Sequence, residues 1–184
     1  MLKKEQASQQ TRKIYILVTR MFGNRSKAIS FFTNSYYTHS SIGLEEDLNT
    51  FYTFTIKGFF IEKVTKYVKP DKSSFPCQLY EISVSQEKYD EIKNSLQQFT
   101  VKKEEYFYAR LGVILCFFRI PCKFKGHYFC SQFIAEVLEN CQIAKFRKPA
   151  SLCTPKDFTK MEIAHPIYRG TLRGYLKHFK ICAT

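Results

Sequence analysis

The link EEDLN is short and polar, and it joins two β-rich runs. The first, YYTHSSIGLEED, covers residues 36 to 47, and the second, NTFYTFTIKGFFIEKV, covers 49 to 64. Parallel strands need a crossover of a dozen or more residues, so a link this short favours an antiparallel hairpin. KIYILVTR, residues 13 to 20, is another β-rich run, followed by MFGN as a turn. CQLYEISVS, residues 77 to 85, alternates Leu79, Glu81 and Ser83 with Tyr80, Ile82 and Val84, which is strand periodicity. The intervening VTKYVKPDKSSFP reads as a loop broken by Pro70 and Pro76.

Helical signals are interleaved with these strands. Ser26 is a candidate N-cap for a short helix in SKAISFFTN, residues 26 to 34. Ser85 opens SQEKYDEIKNSLQQF, where Tyr89, Ile92 and Leu96 fall at helical spacing. YFYARLGVILCFF, residues 106 to 118, is apolar enough to predict a buried helix, ended by Pro121. Pro149, Pro155 and Pro166 divide the C-terminal region into short elements. The chain has no internal repeat and no linker, and 184 residues suit one domain. The expected organisation is a polar, disordered segment over 1–12 and a single domain over 13–184.

Charge and cysteine usage narrow the partners. The net charge of +13, from 29 basic and 16 acidic residues, favours anionic partners: nucleic acid, an anionic lipid surface or an acidic polymer. The basic residues form no dense block, and no RNP-like, helix-turn-helix or zinc-finger pattern is legible, so nucleic acid is not the expected partner. Seven cysteines cannot all pair internally. MLKKEQASQQTRK lacks the apolar core of a signal peptide, and the longest apolar run, Leu111 to Phe118, is too short to span a bilayer. The expectation is therefore a cytoplasmic chain with free thiols and no transmembrane segment, compatible with association at a membrane surface.

One cysteine stands apart. In HYFCSQFIAEVLENC, residues 127 to 141, Phe133, Ile134, Val137, Leu138 and Cys141 fall on one helical face, with Glu136, Glu139 and Asn140 on the other. Cys130 lies at the start of that helix, toward its buried side. Unpaired N–H groups and the positive end of the helix dipole favour a thiolate there. The N–H groups of Cys130 and Ser131 are also suited to stabilise an oxyanion. The plainer reading is an inert buried thiol. A nucleophile needs a base, and four histidines are available. His127 sits in the approach to the helix, while His165 and His178 lie in the C-terminal region. His39, in YYTHSSIG, is on a strand that could hold an imidazole rigidly against the helix, or expose it to solvent. A zinc site from Cys116, Cys122, His127 and Cys130 lacks a recognised spacing, and no C-x-x-C pair occurs, so no metal is expected.

Taken in order, YTHSSIGLEEDLNTFYTF, IKGFFIEKV, HYFCSQFIAEVLENCQI and TPKDF resemble the circularly permuted papain-like cysteine hydrolase superfamily, in particular a branch found widely in Gram-positive bacteria. That superfamily includes bacterial cell-wall peptidases and amidases and lecithin–retinol acyltransferase-like proteins. The resemblance covers roughly residues 13 to 175. It implies an α+β fold in which a small antiparallel sheet or barrel packs on helices. It also implies Cys130 as nucleophile and His39 as general base, with the Cys130 helix pressed against the His39 strand. Relatives carry a third polar residue, often Glu, His or Gln, on the strand after the histidine strand. Here that strand reads TFYTFTIK, with Phe54 nearest the expected position. Thr55 is the candidate, Thr53 the alternative, and Glu62 a further side chain that could reach. The implied activity is hydrolysis or transfer at an amide or ester bond without a cofactor, on cell-wall peptide or anionic lipid. A catalytically impaired binding module on the same fold, or a basic nucleic-acid-binding protein, are the alternatives.

Overall fold

In the computed structural model, which describes residues 11–21, 35–44, 47–68 and 75–182, KIYILVTR forms an inner strand of a six-stranded antiparallel sheet. The strands are β1 (Thr11–Thr19), β2 (His39–Leu44), β3 (Thr50–Thr55), β4 (Gly58–Lys63), β5 (Pro76–Ser85) and β8 (His165–Thr171), in the spatial order β4-β3-β2-β1-β5-β8. Two further strands, β6 (Phe107–Tyr108) and β7 (His127–Tyr128), form a short parallel pair. The helices are α1 (Gln86–Val101), α2 (Arg110–Phe117), α3 (Cys130–Asn140), α4 (Pro155–Phe158) and α5 (Leu172–His178). The chain is thus α+β.

Both faces of the sheet are covered, which is why β1 is apolar almost without interruption. Ile14, Ile16 and Val18 point into one core, with Ile42 and Ile82, and with Tyr89, Ile92 and Leu96 from α1 and Phe133 and Ile134 from α3. Tyr15 and Leu17 point into a second core with Phe51, Leu79, and Leu172 and Tyr175 from α5. Full burial of Phe133 or Ile134 stabilises the fold by roughly 1.5–3 kcal/mol each, so α3 is held by its packing on β2 and β3.

The Ser85 N-cap accepts from the Lys88 N–H at 3.3 Å, as the capping pattern predicts. Four expectations change. Thr11 and Arg12 belong to β1, so the ordered domain starts before residue 13. NTFYTFTIKGFFIEKV is not one strand but the hairpin β3–β4, turning at Ile56 and Lys57. Its signal was Gly58, whose φ is +91°, and whose missing Cβ would sit 2.5 Å from the Tyr106 carbonyl oxygen. The segment expected as a buried helix is helical over Arg110–Phe117, but Leu111 and Ile114 face solvent. Glu136, expected on the face opposite the apolar one, is nevertheless buried and is paired at 2.6 Å with Lys123 from the segment before β7. The helix expected over 26 to 34 lies outside the described residues.

Candidate active site

α3 begins at Cys130, and its N-cap Phe129 has no side-chain acceptor to cap the first turn. The N–H groups of Cys130 and Ser131 therefore open the helix without a capping side chain, beside the thiol. Phe133, Ile134 and Val137 dock the helix on the sheet, and its contact with β2 brings Cys130 to the start of that strand, where His39 lies. Cys130 is 8% exposed, and its thiol and the His39 ring lie near enough to shift each other's titration.

The other side of the imidazole is held by a carboxylate. His39 Nε2 lies 3.0 Å from Glu62 Oε2. The Tyr67 hydroxyl donates to the same Glu62 oxygen at 2.9 Å. Glu62 is 2% exposed, so its charge is poorly screened.

These contacts set the protonation states. Burial alone would depress the His39 pKa, but the Glu62 charge and hydrogen bonds to Cys130 and Glu62 override it and raise it to about 10. Burial alone would raise the Cys130 pKa, but the hydrogen bond and charge of His39, and the Ser40 backbone N–H, bring it below the ordinary thiol value. Burial likewise opposes ionisation of Glu62, and the His39 charge lowers its pKa nevertheless. The arrangement favours thiolate, imidazolium and carboxylate together. By contrast, burial raises Cys77 and Cys153 to about 12 and Cys116 to about 11, so those thiols stay protonated.

Of the predicted site residues, Cys130, His39 and the Ser131 N–H are brought together. Thr55 and Thr53 serve elsewhere. The Thr55 hydroxyl accepts from the Lys57 N–H in the β3–β4 turn, and the Thr53 hydroxyl donates to the Ser40 carbonyl at 2.7 Å. Of the three side chains considered for the third position, Glu62 is the one against the His39 ring. His127 is tied to the Lys125 carbonyl at 2.9 Å, and His165 is exposed on the edge strand β8. Among the described residues, no three His, Cys, Asp or Glu side chains converge in a way that could hold a metal ion.

Beside the thiol lies a cavity of about 30 Å³, room for a water or two. Tyr108, Val113, Cys116, Cys153 and Pro155 line it with Cys130. Sequence reasoning missed Tyr108. It arrives through the β6–β7 pairing, where Tyr108 is in register with Tyr128, a two-residue ladder with no periodic signal. Burial, then the Cys130 charge, raise the Tyr108 pKa, so its phenol stays a donor. The Ser131 hydroxyl donates to the Cys153 carbonyl at 2.7 Å and ties the opposite wall to α3. A capping box between Thr154 and Asp157 starts α4 and holds Pro155 in place.

No protein-family model matches the chain, and a search of the curated proteins finds no match.

Proposed function

We propose that the chain is a cysteine hydrolase or acyltransferase on a permuted papain-like fold, with Cys130 as nucleophile, His39 as acid and base, and Glu62 orienting His39. The observation that carries this reading is the buried Cys130–His39–Glu62 relay at the N-terminus of α3. The Cys130 thiolate attacks an amide or ester carbonyl. The developing oxyanion is received by the N–H groups of Cys130 and Ser131. The His39 imidazolium donates its proton to the leaving amine or alcohol, leaving an acyl group on the Cys130 sulfur. His39, now neutral, takes a proton from water or another acceptor as it attacks the thioester. Glu62 keeps the ring oriented and favours its charged form through both halves.

An activated aryl ester offered to the purified protein tests this. Mass spectrometry should find an acyl adduct on Cys130, with release of the aryl alcohol. Adduct on the exposed Cys182 alone, or turnover surviving Cys130→Ser, would sink the proposal.

A further inference from the structure

Helix α2 turns an apolar stripe toward water. Leu111 and Ile114 are three residues apart, and Phe118, the C-cap, is four further on, so the three share one face. They are 53%, 52% and 64% exposed. The inward face carries Gly112, Val113 and Cys116, and the last two line the cavity beside Cys130. Phe107 before the helix and Ile120 after it are exposed by 55% and 51%. Isolated exposed apolar residues are ordinary, but this concentration on one segment marks an interaction surface.

The charges on this segment have one sign. Between residues 107 and 125 the charged residues are Arg110, Arg119, Lys123 and Lys125, with no Asp or Glu. Arg110 and Arg119 flank the stripe, and neither forms an ion pair among the described residues. Lys123 is paired with Glu136, yet its side chain remains 61% exposed. Large apolar groups between guanidinium groups that have no ion pair among the described residues, on a chain of net charge +13, suit an anionic interface with an apolar interior. Arginine is well matched to it, because its stem lies along apolar surface while its head reaches phosphate.

We propose that the outer face of α2 docks on an anionic phospholipid surface. Phe107, Leu111, Ile114, Phe118 and Ile120 enter the boundary between headgroups and acyl chains. Arg110 and Arg119 pair with the phosphates. The inner face of the same helix then holds the Cys130 cavity against the bilayer. Docking does not depend on Cys130 chemistry; only its use, bringing a membrane-borne acyl group to the thiol, rests on the hydrolase reading.

Sedimentation of the full chain with vesicles of phosphatidylglycerol and phosphatidylcholine tests the proposal, with pure phosphatidylcholine vesicles as the contrast. Binding should favour the anionic vesicles and weaken as salt is raised. The variant Leu111→Ser/Ile114→Ser/Phe118→Ser alters only exposed side chains, and circular dichroism and Cys130 alkylation check that it is folded. It should need at least about tenfold more lipid for half-binding. Arg110→Glu/Arg119→Glu should need about tenfold more and flatten the salt dependence. Cys130→Ser should bind as the parent does, so loss of thiol chemistry and loss of docking are read separately. Equal binding to both vesicle types, or unchanged binding by the triple serine variant, overturns the proposal. So does self-association that the triple variant abolishes while vesicles are ignored, since a second copy would then be what covers the face.

Discussion

The Glu62 carboxylate lies 3.0 Å from the His39 ring, although the two residues stand on strands separated by a third. β4 is the edge strand and β2 lies inside the sheet, with β3 between them. Glu62 is in register with Phe51 of β3 and is buried, and the Tyr67 hydroxyl meets the same carboxylate. This contact supplies the charge that raises the His39 pKa, and the charged ring in turn lowers that of Cys130.

Glu62→Gln keeps the shape and removes the charge. The His39 pKa should fall and the Cys130 pKa rise, shifting the midpoint of Cys130 alkylation upward in pH. Turnover of an ester substrate should drop by about 10²-fold or more. The measurement is iodoacetamide labelling of Cys130 by mass spectrometry from acid to alkaline pH. An unmoved midpoint would remove Glu62 from the relay.

Two pH profiles should separate on the alkaline side. Alkylation needs only the thiolate, so it should rise through a midpoint below the ordinary thiol range and then stay level. Turnover also needs the His39 proton, so it should fall as pH rises through about 10. His39→Ala should return the alkylation midpoint to about 8.5 or above. Matching alkaline limbs in the two profiles would contradict the assignment of His39 as the acid.

Acid should unfold the parent more steeply than Glu62→Gln. The folded Glu62 pKa lies below its ordinary 4.5, so its stabilisation is present above that value and is lost as pH falls through the folded pKa. Urea unfolding at pH 7 should find the variant about 1–3 kcal/mol less stable, because a buried charged hydrogen bond is weakened. That difference should shrink in acid.

Ser131→Ala should separate the hydroxyl from the N–H. The lost bond to the Cys153 carbonyl costs about 1 kcal/mol or somewhat more in urea unfolding. Ester turnover should change only a few-fold, since the oxyanion is received by the backbone. A hundredfold loss would show that the hydroxyl itself meets the substrate.

Gly43→Ala probes the floor of the sheet. A Cβ on Gly43 would sit 2.7 Å and 2.9 Å from carbons of the Phe51 ring, which is fully buried and cannot swing clear. The overpacking should cost about 1–3 kcal/mol in urea unfolding. Because Gly43 lies on the His39 strand, Cys130 alkylation should also slow.

Local pattern determined much of this protein. The alternation in CQLYEISVS set a strand, the Ser85 cap set a helix start, and the apolar face after Cys130 set both that helix and the thiol's place at its N-terminus. Each rests on a period or a cap read within about ten residues. Local pattern leaves His39 and Cys130 unpaired; only the resemblance of the ordered motifs to permuted papain-like hydrolases implies that they meet.

Tertiary structure decided the rest. Glu62 reads as one residue of a long strand, so for the third site position it stands only as a further side chain that could reach, behind Thr55 and Thr53. The turn at Ile56 and Lys57 folds β4 back and brings Glu62 to a histidine 23 residues away. Tyr108 reaches the cavity through a two-residue pairing too short to leave a period. The stripe on α2 was legible as apolar, but periodicity specifies only which residues share a face. Whether that face meets the core or the solvent depends on what packs against it: here, the inner face meets the wall beside Cys130, and Leu111, Ile114 and Phe118 are left outside.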